Sequence, residues 1–210
     1  MPLRSQVLLE PRKSPVQARS TASVDAILQA TIQVLLSVGK ERLTTTRVAM
    51  RAGVSVGTLY QYFPNKSALL QAVLKRHLDG VAGAVEQVCR EQKGNSLQAM
   101  ASSLITAFLN AKMMDVRTSI ALYSVSSDVD GAMIAQRVKV RINKAIVGLL
   151  ASSREPLNRE PQIVASMLQS ALTGVSHRLL ESSAPEKELK TLREELIFFI
   201  TGYLAACSGA

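Results

Sequence analysis

Residues 44–63 read TTTRVAMRAGVSVGTLYQYF, a segment that predicts two short helices joined by a tight turn. The first helix covers 45–52 and ends at Gly53, because glycine adopts the left-handed backbone of such a turn without steric cost. Ser55 is a suitable N-cap for the second helix, which we expect over 56–63. The apolar and small side chains predict the buried inner face of this helix-turn-helix, namely Val48, Ala49, Ala52, Val54 and Leu59.

The remaining side chains of this segment are polar groups that suit DNA. Hydroxyl, guanidinium and amide groups hydrogen-bond to phosphate oxygens and base edges. The exposed amides after the Ser55 cap also favour an anion. The residues themselves therefore indicate a DNA-binding surface made of Thr45, Thr46, Arg47, Ser55, Thr58, Tyr60, Gln61 and Tyr62.

Apolar residues at helical spacing continue on both sides of this segment. Upstream they predict a helix over 23–39, with Ser23 as its N-cap and Gly39 as its end. Downstream, Asn65 caps a long helix, and five more helices are expected at 96–112, 115–127, 130–153, 161–182 and 185–206. No strand is predicted, so the fold class is all-α with about nine helices.

Charge is distributed unevenly along the 210 residues. The net charge is +9, and residues 1–80 hold 11 basic and 4 acidic side chains against 14 and 12 in the remainder. A basic first part predicts a module that binds a polyanion, the alternative being an ordinary solvated surface. We expect a flexible basic arm at 1–22, a DNA-binding domain at 23–80 and a second domain at 81–210.

Cysteine content and hydropathy limit the protein's location. Cys89 and Cys207 are too few for a disulfide framework, which is typical of a reducing compartment. The apolar run at 7–9 is too short for a signal-peptide core, and the apolar stretch at 196–206 is shorter than the ~20 residues that span a bilayer. We therefore expect a cytoplasmic protein without a membrane segment.

Catalytic and cofactor motifs are missing from the sequence. Residues 53–57 (GVSVG) lack the third glycine of a dinucleotide-binding turn. The two histidines, His77 and His177, have no partners at metal-ligand spacing. Around His177, residues 174–178 (GVSHR) lack the second glycine of a nucleophile elbow, so we interpret His177 as a helix-face or pocket residue. No cofactor, metal or enzymatic activity is expected.

Several short motifs together resemble the DNA-binding domain of the TetR family of transcriptional regulators. They lie within 24–78 and comprise GVS at 53–55, GTLY at 57–60, YF at 62–63 and KSALL at 66–70. The resemblance implies that 56–63 is the recognition helix. It further implies phosphate contacts by Thr45, Tyr62 and Lys66, and positions near the bases for Val56, Gly57, Tyr60 and Gln61. Residues 39–41 (GKE) depart from the family pattern, in which an aromatic residue often follows the glycine, and Leu43 is expected to fill that core space.

Some of these side chains also have a structural interpretation. Tyr60, Tyr62 and Phe63 could form an aromatic packing cluster, and we assign Phe63 to the core beside Leu59. For Tyr62 and Lys66 we favour phosphate contacts. Whether Tyr60 and Gln61 reach base edges stays open.

The second domain has the pattern of a dimerising module, which the resemblance also implies. The last helix carries apolar residues on more than one face, including Leu196, Phe199 and Ile200. The helix before it combines small residues with Leu168 and Leu172, so the two helices can form a four-helix interface with a second copy. The alternative is an internal core helix in a monomer.

Soft apolar and aromatic side chains in the middle helices predict a ligand pocket. Ordinary core packing is the alternative for each of them. The pocket suits an apolar or amphipathic effector, and its candidate residues are Phe108, Met113, Met114, Tyr123, Met133, Met167 and His177.

The sequence thus predicts a homodimeric regulator that binds a palindromic operator in double-stranded DNA. A repressor released by a small-molecule effector is the favoured hypothesis. The alternatives are an architectural DNA-binding protein without effector, and an enzyme or carrier with a vestigial DNA-binding domain.

Overall fold

The computed structural model describes residues 18–208, and within them all regular structure is helical. Nine α-helices and one short 3-10 helix (Ser126–Asp128) make up this part of the chain. The helices are α1 (Ala18–Arg42), α2 (Thr45–Ala52), α3 (Val56–Tyr62), α4 (Lys66–Glu91), α5 (Leu97–Met113), α6 (Val116–Val125), α7 (Gly131–Leu150), α8 (Pro161–Glu181) and α9 (Pro185–Ser208). The predicted all-α class is confirmed.

The first helix differs from its predicted bounds at both ends. It begins at Ala18, so residues 18–22 are helical and Ser23 is not its N-cap; the rest of the predicted basic arm lies outside the described residues. Gly39 breaks the regular helix with φ 75° and ψ 170°, after which helical structure resumes as far as Arg42. Glycine tolerates this backbone, which is strained for other residues.

The chain divides into two compact units at places that the sequence did not indicate. One unit contains the described residues up to Arg76 together with 121–132, and the other contains 77–120 and 133–208. The predicted division at residue 80 therefore misses the segment 121–132, which belongs with the helix-turn-helix. Within that unit, Lys40 Nζ lies 2.6 Å from Asp128 Oδ2, and Gln71 Nε2 donates to the Val129 carbonyl over 3.4 Å.

Packing of α1 against α2, and of α2 against α3, forms the core of the first unit. Ile27, Leu43 and Leu59 are almost fully buried, as the prediction for Leu43 requires. By length and composition Ser20–Arg42 could also cross a bilayer, a property that the sequence analysis did not single out. In this fold its apolar side chains Ile27, Val34 and Leu35 belong to the core instead.

Helix α5 is the centre of the second unit, where it packs against α8 and α9. Leu104, Ile105 and Leu109 of α5 are fully buried. Ser96 accepts a hydrogen bond from the Ala99 amide, and Glu155 of the α7–α8 loop accepts one from the Leu97 amide over 2.9 Å. These acceptors satisfy otherwise unpaired amides of the first turn and attach the loop to α5.

Candidate nucleic-acid interface

Side-chain caps fix the geometry of the helix-turn-helix. Thr44 Oγ1 accepts from the Arg47 amide at the start of α2, and Ser55 Oγ accepts from the Thr58 amide over 2.9 Å at the start of α3. Gly53 ends α2 in the left-handed region, with φ 69° and ψ 28°. The predicted roles of Gly53 and Ser55 are confirmed.

The inner face of α3 is anchored in the core. Leu59 and Phe63 are 0% and 2% exposed, and the Phe63 amide donates to the Leu59 carbonyl. Val48 and Ala49 of α2 are equally buried, whereas Ala52 and Val54 are half-buried. The assignment of Phe63 to the core is correct, and the opposite side of α3 is left to solvent.

Most predicted DNA-contacting residues are exposed, and two of them touch each other. Thr45 Oγ1 and Tyr60 OH lie 3.0 Å apart and join α2 to α3 through a polar contact. Thr45, Thr58, Tyr62 and Lys66 are half-buried, while the exposed residues are Thr46, Arg47, Ser55, Val56, Gly57, Tyr60 and Gln61. Tyr60 is therefore not a core aromatic, although its base contact remains a prediction.

Three basic side chains donate to carbonyls near the end of α1. Lys66 Nζ donates to the Lys40 carbonyl over 2.5 Å, Arg47 Nη1 to that of Arg42 over 3.0 Å, and Arg42 Nε to that of Val38 over 3.2 Å. Cations are favourable at the negative end of a helix dipole. The sequence analysis missed Arg42, which is exposed and whose backbone carbonyl accepts the hydrogen bond from Arg47.

Lys40 belongs to the same region but has a carboxylate partner. Its hydrogen bond to Asp128 raises the pKa of Lys40, against a smaller opposing effect of burial. Both side chains are substantially exposed, so this ion pair contributes little to stability. Asp128 partly neutralises the positive charge of Lys40. Arg47 and Arg51 instead form hydrogen bonds to uncharged groups.

The candidate pocket residues do not share one environment. Phe108 and Met113 are buried in the second unit. Tyr123 is half-buried and lies in the segment 121–132, which belongs to the first unit. The exposed residues are Met114 at 88%, Met133 at 53%, Met167 at 52% and His177. Three cavities of about 470, 520 and 410 Å³ occur in the second unit, and of the candidates only His177 lines one of these three.

A basic cluster in the second unit was not anticipated. Lys112 of α5, His77 of α4 and Ser119 of α6 lie together: Ser119 Oγ donates to the Lys112 carbonyl over 2.7 Å and is 3.4 Å from His77 Nε2. Burial lowers the pKa of His77 to about 4, assisted by the charge of Lys112. Burial also lowers the pKa of Lys112. Lys112 lies in the last turn of α5, where a cation is common, so its sequence position gave no signal.

The outer faces of α8 and α9 carry large apolar side chains in solvent. Phe198 is 78% exposed, Phe199 60%, Ile163 56% and Met167 52%. Leu168, Leu196, Ile200 and Leu204 instead pack inside the same chain, so the sequence-based assignment of Leu168 and Ile200 to an intermolecular surface is wrong. In 20–208 no group of three or more His, Cys, Asp or Glu side chains is placed to hold a metal ion.

Comparison with known proteins agrees with this architecture. Residues 27–73 match the family model of bacterial regulatory proteins of the tetR family, and residues 96–204 match that of the tetracyclin repressor-like C-terminal domain. A putative TetR-family transcriptional regulator from Mesorhizobium loti superposes with a TM-score of 0.72 at 19% identity, over 90% of this chain and 98% of that one.

Two further proteins are similar to this chain. The complex of SmeT with triclosan has a TM-score of 0.66 at 20% identity, over 87% of this chain and 91% of that one. SmeT is the repressor of a multidrug efflux pump of Stenotrophomonas maltophilia. The nucleoid occlusion factor SlmA of Sodalis glossinidius is 24% identical over 164 residues, which are 75% of this chain and 83% of SlmA. Since the two family models together cover most of the described residues, the chain belongs to the TetR family of DNA-binding transcriptional regulators.

Proposed function

We propose that this regulator is a repressor that binds a palindromic operator as a homodimer and releases it when a small molecule binds. The observation that carries the proposal is the division of α3 into two faces. Leu59 anchors the helix in the core, while Tyr60 and Gln61 are exposed beside Arg47 and Thr46 of the same helix-turn-helix. Such an arrangement suits a helix in the major groove.

Contacts to the two parts of DNA fall to different residues. We assign phosphate contacts to Thr45, Tyr62 and Lys66, with Thr46, Arg47, Ser55 and Thr58 supporting them. Base edges fall to the exposed side of α3, where Gly57 lets the backbone approach closely because it has no side chain. We assign base contacts to Val56, Gly57, Tyr60 and Gln61.

Dimerisation through α8 and α9 is supported by their exposed apolar faces. Four large apolar side chains in water mark a surface that another protein covers. Small residues alternate with them, including Ser166, Ser170, Gly174 and Gly202, and allow helices of two copies to approach closely. A two-fold dimer presents two copies of α3 to half-sites about one helical turn apart.

Release by an effector is supported by the second unit and by α4. The solved complex of SmeT contains triclosan, and this chain shares its fold. Helix α4 is continuous from Lys66 to Glu91 and contributes residues to both units. A ligand that favours another position of α4 would therefore reduce DNA affinity through differential binding. Phe108 and Met113 are the buried candidates for its apolar contacts.

The direct test compares binding to candidate operator DNA with binding to DNA of random sequence. We would measure anisotropy of labelled duplexes that contain inverted repeats from the DNA flanking the coding sequence, against a random duplex at the same salt concentration. A repressor of this kind should bind one repeat at least ~1000-fold more tightly than random DNA. A reporter gene behind that repeat should be expressed more when the protein is deleted.

The similarity to SlmA supports a second candidate function. That relative is a nucleoid occlusion factor, and a protein that acts on the nucleoid as an architectural factor needs DNA binding but no effector. Nearly equal affinity for repeat and random duplexes would favour this candidate over the repressor. Either function operates on the chromosome, so we propose a cytoplasmic location and no enzymatic activity.

A further inference from the structure

Among the described residues, Lys112 is a partly buried cation without a carboxylate partner. It lies in the last turn of α5, is half-buried, and forms no ion pair within the described residues. The nearby carboxylate of Asp115 accepts from the Thr118 amide over 3.0 Å and from its hydroxyl over 2.6 Å, and so caps α6. Partial burial of a charge without a counter-ion costs free energy, and a bound anion would offset that cost.

Imidazoles from two other helices share the electrostatic environment of this ammonium group. Burial is the main cause of the lowered pKa of His77 on α4 and of His177 on α8, and the charge of Lys112 lowers both further. The charge of Asp115 raises the pKa of His77. For His177, Glu181 raises the pKa and Lys139 lowers it. The geometric link is Ser119 Oγ, which contacts both the Lys112 carbonyl and His77 Nε2 and so brings these residues of α5 and α4 together.

Hydrogen bonding defines the state of His77 in this cluster. The Ser119 hydroxyl gives its proton to the Lys112 carbonyl, so its oxygen can accept from His77 Nε2–H. Nδ1 of the neutral ring is then the unprotonated nitrogen. Protonation of Nδ1 would give this cluster a second positive charge in addition to that of Lys112, and an anion is the partner that would stabilise both.

We propose that the effector is an amphipathic acid whose carboxylate binds Lys112 and His77. Its apolar body would lie toward Phe108, which precedes Lys112 by one turn of α5 and therefore shares its side of the helix. The proposal rests on effector control as the proposed function and adds the chemical class of the ligand. A purely apolar effector would leave the ammonium group without a partner.

The first experiment measures thermal unfolding of the full-length protein without DNA. The probes are straight-chain carboxylates from butanoate to decanoate and benzoate, each compared with the alcohol or amide of the same carbon skeleton. At least one carboxylate should raise the melting temperature while its neutral analogue does not. Lys112→Met should weaken that binding about 10-fold to 100-fold, and Lys93→Met, at an exposed lysine of the same unit, should leave it unchanged.

A second measurement needs no ligand. Lys112→Met removes a shielded charge and keeps the length of the side chain, so the free protein should melt about 2–4 °C higher, while Lys93→Met should melt as the wild type does. A lower melting temperature for Lys112→Met would show that the ammonium group only stabilises the end of α5, and would overturn the proposal. Equal effects of acids and neutral analogues, or no effect of any acid, would overturn it as well.

Operator release is then measured separately by anisotropy. If an acid binds through Lys112 but does not release the operator, the binding site stands and effector control of DNA binding fails. If another class of compound releases the operator while no acid binds, effector control stands and the assignment of Lys112 fails.

Discussion

Lys66 Nζ donates a hydrogen bond to the backbone carbonyl of Lys40 across 2.5 Å, so the first residue of α4 holds the end of α1. This contact gives Lys66 a structural role in addition to its predicted phosphate contact. An ammonium group has three protons, and one hydrogen bond to a carbonyl leaves two for phosphate oxygens. The two roles are therefore compatible and can be separated by experiment.

Replacing Lys66 by Ala should affect both stability and salt dependence. We expect a loss of about 1 kcal/mol in the free energy of unfolding, from the lost hydrogen bond. The slope of log K against log salt should fall by about 1 for operator and random DNA alike. Titrations at several salt concentrations check this, with Lys93→Ala as the control. An unchanged slope would remove Lys66 from the phosphate contacts.

Replacing Gln61 by Ala should change which operator is preferred. Gln61 is exposed on α3, and a lost bidentate contact to a base costs ~1–3 kcal/mol. We expect altered ranking among single-base variants of the operator and an unchanged salt slope. Gln29→Ala removes a similar exposed side chain from α1 of the same unit and should alter neither. An equal loss of affinity for all operator variants would show that Gln61 contacts the DNA backbone and not a base.

Charged residues introduced on the outer and inner faces of α8 and α9 should have different consequences. Met167→Asp and Phe199→Asp change exposed residues and should give folded monomers with weak operator binding. Leu168→Asp and Ile200→Asp place a charge in the core of the same chain and should unfold it. Light scattering after size exclusion, together with circular dichroism, distinguishes these results. A folded dimer of Phe199→Asp would locate the interface elsewhere.

Because His77 is neutral in the folded protein, the free energy of unfolding should decrease in mild acid. The pKa of His77 is about 4 in the folded protein and near 6.5 when unfolded, so between these values only the unfolded chain is protonated there. Its contribution to stability is thus complete above pH 6.5 and is lost as the pH falls toward 4. From pH 7 to pH 5 the loss is about 2 kcal/mol. His77→Gln should remove this part of the pH dependence in urea unfolding at fixed protein concentration, and His177→Gln, which is exposed, should remove less.

Gly131 should not tolerate a side chain. A Cβ atom there would lie 2.4 Å from the Ser126 carbonyl oxygen, and backbone must move to accommodate it. The preceding Asp130 already has a positive φ of 52°. Gly131→Ala should therefore distort the turn that carries Asp128 and lower the melting temperature. Gly148→Ala, where a Cβ atom meets nothing within 4 Å, is the matched control and should be neutral or stabilising.

Local signals in the sequence predicted most of the helices. Gly53 and Ser55 act within one turn of their own positions, and Pro161 and Pro185 begin α8 and α9 as first-turn prolines do. The predicted helix at 115–127 is shorter in the structure, because α6 ends at Val125 and continues as a 3-10 helix. Termini shift by a few residues because the last turn depends on packing as well as on capping.

Features that depend on distant residues could not be predicted. The pairing of Lys40 with Asp128 joins positions far apart in the chain and is not expressed in any local period. Met114 and Met113 are adjacent and alike in hydrophobicity, yet one is 88% exposed and the other is buried. Lys112 has the position of an ordinary helix-ending cation. Only tertiary packing shows that its charge has no carboxylate partner.

The carbonyl oxygens at the end of α1 have a consequence for the entropy cost of the proposed DNA contacts. Arg47 and Lys66 are already held in defined orientations by the Arg42 and Lys40 carbonyls in the free protein. Immobilising such a flexible side chain on binding costs about 0.5–1.5 kcal/mol, and here much of that ordering precedes the encounter. A phosphate oxygen that meets these groups replaces, or adds to, an oxygen of the protein itself. If Arg47 and Lys66 contact phosphates as proposed, the α1 backbone orients them in advance for the DNA backbone.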